Sequence, residues 1–210
     1  MGLPNFPIIL CLEGLDGTGK STQCRMLAKL LEKNGRQVVC VRDPGSTELG
    51  NEIRKILLHY SGSMSNFCEM SLFFAARAQM IEEVVKPAIV SGRDIVLDRF
   101  LLSTVVYQGY GCFMDIQKIW TAGIFAAGDF FPDLTVVLDI PINESLARVG
   151  FSTDRIESRD LQYHQRVRNG FIAEADRSNG SIKLVSAAGS IDEVHERISN
   201  CIMEKFHNTF

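Results

Sequence analysis

Residues 14–21 read GLDGTGKS, a match to G-x-x-x-x-G-K-[ST] placed after an apolar run and ahead of a stretch with helical periodicity. Glycines at these spacings let the backbone curl until successive N–H groups converge, and the helix behind them adds the positive end of its dipole beneath any anion the curl holds. Such a loop needs a strand in front and a helix behind, so it commits the chain to an α/β architecture before other residues are read. Gly14, Leu15, Asp16, Gly17, Thr18 and Gly19 form the curl and Thr22 supports the turn. Lys20 is placed to reach the terminal phosphates of a bound nucleotide, and the Ser21 hydroxyl to ligand Mg2+.

The rest of the chain keeps to that architecture. Short strand-like runs at 7–13, 37–42, 95–98, 134–139 and 182–185, all but the last nearly continuously apolar, alternate with helical stretches at 20–32, 47–58, 66–90, 115–128, 142–148 and 160–177. Apolar strands separated by helices are the pattern of a parallel sheet covered on both faces, so a five-stranded parallel sheet flanked by helices is expected. A last helix carries Ile191, Val194, Ile198 and Ile202 at spacings of three and four, on one face. The GYG at 109–111 reads as a turn, and the polar segment 150–160 (GFSTDRIESRD) as a lid or a surface loop. With 210 residues and no repeat or linker-like tract, one domain over 1–210 is expected, with a lid at about 149–160.

Composition narrows the function classes. No apolar run approaches the roughly 20 residues that span a bilayer, and the first residues carry no basic segment ahead of a long apolar one, so neither a membrane span nor a leader is expected. Cys11, Cys24, Cys40, Cys68, Cys112 and Cys201 are widely spaced, with no C-x-x-C, and read as reduced thiols of a cytoplasmic protein. A formal net charge of -3 without long blocks of like charge argues against a nucleic acid polymer or an anionic membrane as partner. Any anion binding is therefore local.

The loop alone leaves the class open between a switch GTPase, an ATPase and a small-molecule kinase. No N-K-x-D sequence is present to read guanine. Asp98 and Arg99 close the third apolar run (IVLDR), and sheets of this kind place ligands at the carboxyl ends of their strands. Asp98 can hold Mg2+ through water and Arg99 can grip a phosphate with its fork. Asp139 also closes a run (VVLDI), but Pro141 follows and a structural cap is expected there. Phe73 and Arg77 lie four apart in a helical run (LFFAAR) and share a face, an aromatic ring beside a planar donor fork that suits a flat base with exocyclic oxygens.

Taken together, residues 14–22 (GLDGTGKST), 42–47 (RDPGST), 73–77 (FFAAR), 98–108 (DRFLLSTVVYQ), 131–139 (FPDLTVVLD) and 154–157 (DRIE) resemble the thymidylate kinases in order and spacing, over nearly the whole chain. The resemblance implies the P-loop nucleoside monophosphate kinase fold with a short lid, a homodimer, and transfer of phosphate from ATP, with Mg2+, to dTMP. It also implies that Phe73 stacks on thymine, that Arg77 hydrogen-bonds its edge, and that Ser103, Thr104 and Gln108 line the base pocket. Tyr107 would crowd the 2′ position of the sugar, Asp16 would face its 3′-hydroxyl, and Asp43 and Pro44 would border the acceptor nucleotide.

One departure stands out. With Gly17 in the loop, the chain is similar to family members whose catalytic arginine sits in the lid, yet residues 147–153 (ARVGFST) carry Arg148 alone. Arg155 is then the expected transition-state arginine, with Arg148 and Arg159 next. Two other readings stay open: another P-loop nucleotide kinase, which would use the same 14–21 cradle, and a protein that holds nucleotide without transferring phosphate, which the thin lid keeps open. No general base is required, because the acceptor is a phosphate oxygen already ionised at neutral pH; alignment and charge neutralisation carry the reaction.

Overall fold

The structure is a computed structural model that describes residues 6–149 and 154–207. Five strands, β1 (Ile9–Gly14), β2 (Val38–Arg42), β3 (Asp94–Asp98), β4 (Leu134–Asp139) and β5 (Ile182–Ser186), form one sheet in the order β2-β3-β1-β4-β5. Every pairing is parallel, with Leu12 opposite Asp98 and Gly14 opposite Leu138. The chain leaves β1 for its neighbours on either side, so a crevice opens at the carboxyl ends of the central strands, where a doubly wound sheet binds ligands.

Strand periodicity divides the core. Ile8, Leu10 and Leu12 of the first strand segment, with Val96 of β3, pack on one face against Cys24, Leu27 and Leu31 of α1 (Lys20–Lys33) and Val194, Ile198 and Ile202 of the last helix. Cys11, Ile95 and Leu97 point to the other face, against Met70 and Phe74 of α3 (Asn66–Met80) and Val105 and Ile119. The expected stripe on the last helix holds except at Ile191, which begins the element and is exposed.

Helix ends follow local chemistry. Thr47 caps α2 (Glu48–His59) by accepting from Gly50 N at 2.9 Å, and Asp160 caps the long helix Leu161–Arg177 by accepting from Tyr163 N at 2.7 Å. The helical stretch expected over 66–90 is continuous but widens into a π turn at Ile81–Val85 before α4 (Lys86–Val90).

Two expectations are corrected. Residues 109–111 are not a turn: they end a helical segment that starts as α5 (Leu101–Thr104) and widens into a π-helix over Val105–Gly111. The glycine at 111 serves close packing, since a Cβ there would lie 2.4 Å from the Tyr163 ring. Asp139 is not a cap either. It accepts both arms of the Arg168 fork, at 2.7 and 2.8 Å, tying β4 to the long helix. The remaining helices are α6 (Ile116–Ala126), α7 (Ile142–Val149), α8 (Leu161–Arg177) and α9 (Ile191–His207). Of the expected lid, residues 150–153 lie outside the described residues.

Candidate active site

The loop between β1 and α1 forms the floor of one cleft. Gly14 enters it at φ 132°, so close to β4 that a Cβ would meet the Leu138 carbonyl oxygen at 2.4 Å; only glycine fits. Thr18 Oγ1 and Lys20 Nζ both donate to the Leu15 carbonyl at 2.8 Å, closing the curl from inside. Gly17, Gly19, Lys20, Ser21 and Thr22 line the cleft together with Asp98 and Arg148. Burial lowers the pKa of Lys20, and the like charge of Arg99 lowers it further, against the pull of Asp16 and Asp98. An ammonium so placed gains from a polyanion.

Ser21 Oγ donates to Asp98 Oδ2 at 2.5 Å. A hydroxyl and a carboxylate side by side, open to a phosphate cleft, are an oxygen-only pair that fits Mg2+ taking its other ligands from phosphate and water.

Arg99 follows β3 at φ 71°, a left-handed conformation that favours glycine. The turn is held by Glu13, fully buried, which accepts from Phe100 N at 2.8 Å, Ser103 N at 3.1 Å and Ser103 Oγ at 2.5 Å. Burial raises the pKa of Glu13, opposed by Arg99 and these donors. From this turn Arg99 donates to Gly14 O and Ser103 Oγ at 3.0 Å each and to Asp16 Oδ1 at 2.7 Å, with its guanidinium carbon 5.2 Å from the centre of the Tyr107 ring.

A second cleft adjoins the first, and Asp16, Arg42 and Arg99 line both. Its walls bring together Asp43, Pro44, Phe73, Arg77, Ser103, Thr104, Tyr107 and Gln108, all expected to border the acceptor nucleotide. Arg77, 1 % exposed, donates through Nε to Asp43 Oδ2 at 2.6 Å and through Nη2 to Thr104 Oγ1 at 2.9 Å, between the rings of Phe74 and Phe100. Its Nη1 is buried without a partner, as are Gln108 Oε1 and Asp43 Oδ1. Burial raises the pKa of Asp43 against the pull of Arg77. The cleft thus holds one unpaired donor and, at Gln108, one unpaired carbonyl acceptor, both out of water.

Sequence reasoning missed two arginines here. Arg42 ends β2, and its position at a strand's carboxyl end was the signal that pointed to Arg99. Arg54, on α2, donates to Pro44 O at 3.1 Å; burial lowers its pKa, followed by the like charges of Arg42 and Arg99. Nothing in the sequence pattern set it apart. Arg42 and Arg99 where the clefts meet, with Arg54 in the second cleft, suit an anionic ligand.

Arg155, the expected transition-state arginine, does not line the cleft over the 14–22 loop. Its Nη2 lies 2.5 Å from Glu69 Oε2, its Nε donates to Leu57 O at 3.1 Å, and its backbone N–H bonds Leu58 O at 3.1 Å. Arg159 joins it, with Nη2 at 3.0 and 2.7 Å from the two Glu69 oxygens. The reason is electrostatic: Glu69 is a buried carboxylate, and such a group needs opposite charge beside it. Of Arg148, Arg155 and Arg159, Arg148 lines the cleft over the 14–22 loop, with Nη1 donating to Ala187 O at 3.2 Å.

The sequence profile described as Thymidylate kinase matches residues 12–198. The chain belongs to the thymidylate kinase family. It is 43% identical to the thymidylate kinase of Rhodopirellula baltica over 191 residues, 91% of this chain and 78% of that one. To the thymidylate kinase of Kosmotoga olearia it is 37% identical, over 91% of this chain and 93% of the other. The crystal structure of thymidylate kinase from Ehrlichia chaffeensis superposes with a TM-score of 0.78 at 26% identity, covering 94% of this chain and 99% of that one. Thymidylate kinases phosphorylate dTMP to dTDP with ATP as donor, generally with Mg2+, and the five-stranded parallel sheet flanked by helices is their fold.

Proposed function

We propose that the two adjoining clefts are the donor and acceptor sites of a thymidylate kinase: the loop over 14–22 holds the phosphates of ATP, and the cleft between α2, α3 and α5 holds dTMP. The observation that carries this reading is the pair of unpartnered groups in the acceptor cleft. Thymine presents an oxygen at C4 and a hydrogen on N3; Arg77 Nη1 supplies a donor for the first and Gln108 Oε1 an acceptor for the second. Cytosine presents the opposite kinds at both positions. Phe73, half-buried beside them, offers the ring on which the base stacks.

Asp16 and Tyr107 then border the sugar, and Asp43 orients Arg77 without needing to touch the nucleotide. Arg42, Arg54 and Arg99 meet the phosphate of dTMP where the clefts join. Lys20 and Arg148 flank the donor's terminal phosphates, and neutralise the charge that spreads over the transferring phosphoryl group. Ser21 and Asp98 would hold Mg2+, which would supply further positive charge to offset that of the phosphates. Alignment in these clefts, with water displaced from them, lets an acceptor oxygen meet the terminal phosphorus of ATP.

The described chain is read as one kinase domain with a lid near 149–160. A homodimer is supported by large apolar side chains left exposed on packed helices, Ile56 on α2, Phe67 on α3 and Phe125 on α6. A cytoplasmic setting is supported by six free thiols.

The test is direct. Purified protein incubated with ATP, Mg2+ and one nucleoside monophosphate at a time is expected to yield ADP and dTDP from dTMP, with dCMP and purine monophosphates far poorer. Equal turnover of dCMP would remove the base-edge reading, and no product with dTMP would remove the assignment of both clefts.

A further inference from the structure

Among the described residues, the side-chain partners of Glu69, on α3, are all donors. Gln108 Nε2 donates to its Oε1 at 2.7 Å, Arg159 Nη2 reaches both oxygens, and Arg155 Nη2 lies 2.5 Å from Oε2. A carboxylate paired with two guanidiniums only accepts, so the half of the Gln108 amide that faces it must be the NH2 group. The other half follows from connectivity: Oε1 points away from Glu69 and is buried without a partner, in a residue that lines the acceptor cleft. Gln108 itself is fully buried on the widened helix, away from bulk solvent. Which face the amide presents to a base is therefore decided by a residue on another helix.

We propose that Glu69 is a specificity-determining positioning residue: by holding the Gln108 amide in one orientation it presents a carbonyl oxygen, and not an NH2 group, to the acceptor base. The cleft then selects a base with a hydrogen on its ring nitrogen over one with a bare lone pair there. Arg155 and Arg159 serve this arrangement by balancing the Glu69 charge, which gives both a role far from the phosphates. The inference rests on the reading that the base of the acceptor nucleotide lies against Arg77 and Gln108.

The experiment measures kcat and KM for dTMP and for dCMP in the wild type, Glu69→Met and Glu69→Gln. Methionine offers nothing that holds the amide. The dTMP-over-dCMP ratio of kcat/KM is expected to fall about tenfold, the worth of one hydrogen bond, with most of the loss in the KM for dTMP. Glutamine at 69 still offers a carbonyl oxygen to Gln108 Nε2, so Glu69→Gln is expected to keep most of the wild-type ratio although it lacks the charge. A second arm covers the event that Glu69→Met does not fold. Gln108→Glu sets two carboxylates against each other and is expected to lose dTMP binding, whereas Gln108→Glu combined with Glu69→Gln restores a donor–acceptor pair and is expected to recover it.

If the wild type prefers dTMP but Glu69→Met keeps the full preference, or Glu69→Gln loses as much as Glu69→Met, or the exchange fails to recover binding, the positioning role is wrong. If the wild type itself shows no preference between dTMP and dCMP, the base-edge reading on which it rests is what has failed.

Discussion

Arg99 Nη2 donates to Asp16 Oδ1 at 2.7 Å, joining the end of β3 to the phosphate-binding loop at the line where the two clefts meet. Burial acts to raise the pKa of Asp16, but Arg99 and then Lys20 outweigh it and hold the carboxyl well below the usual range. A carboxylate with a depressed folded-state pKa contributes stability above its unfolded value, about 3.9, and loses that contribution as pH falls toward the folded value. Thermal melts of wild type and Asp16→Asn are therefore expected to converge as the pH drops below about 4, since only the wild type has this contribution to lose. Parallel curves over that range would show that the pair adds nothing to stability.

Lys20 titrates in the opposite sense. Burial, then Arg99, lowers its pKa, while phosphates brought by ATP favour the charged form. At alkaline pH somewhat below the ordinary lysine value, about 10.4, ATP binding should draw a proton from buffer. Calorimetry in two buffers of different ionisation enthalpy reads this uptake directly, and Lys20→Met should abolish it. The same variant is expected to lose about 10²–10³-fold in turnover while binding dTMP as before, because Lys20 lines only the donor cleft.

Arg148 and Arg155 should separate cleanly. Arg148→Ala is expected to lower kcat by about 10²-fold or more with little change in the KM for dTMP. Arg155→Ala is expected to act first on stability, costing about 1.5–3 kcal/mol as the Nε bond to Leu57 O is lost together with the ion pair to Glu69, measured by denaturant unfolding. A collapse of turnover in Arg155→Ala at unchanged stability would return that residue to the phosphates.

Arg77→Met removes the unpartnered donor and strands Asp43, buried and paired to it. The KM for dTMP is expected to rise about 10- to 100-fold, a loss of one or more bonds to a charged group, with kcat reduced less. Asp43→Asn should show a milder form of the same pattern, since Thr104 still accepts from Nη2.

Much of this was legible in the sequence because the pattern and the physics coincide. Each of the five apolar runs is a strand, and the Gly14–Ser21 spacing lies where only a curl between strand and helix fits. Leu101 to Gly111 was not legible: β-branched residues and two glycines carry weak helix propensity, and tertiary packing of Val105 and Val106 overrides it. Nor was the pairing of Arg155 with Glu69, which lie far apart in the chain and whose meeting depends on α3 passing beneath the segment after residue 153. Arg42 was readable by the rule applied to Arg99; the buried partners Glu13 and Glu69 looked like ordinary acidic residues on a strand and a helix.

The widened helix over Val105–Gly111 has a bearing on how such an enzyme tolerates change. Bonds that skip one residue more than usual rotate the backbone less at each step, which lets the adjacent Tyr107 and Gln108 look into the same cleft. Removing a single residue there would tighten the coil and swing Tyr107 and Gln108, the proposed sugar and base contacts, apart while leaving every remaining side chain chemically intact. Under the proposed reading of the acceptor cleft, length in that stretch becomes a determinant of substrate choice that a substitution scan would not reveal.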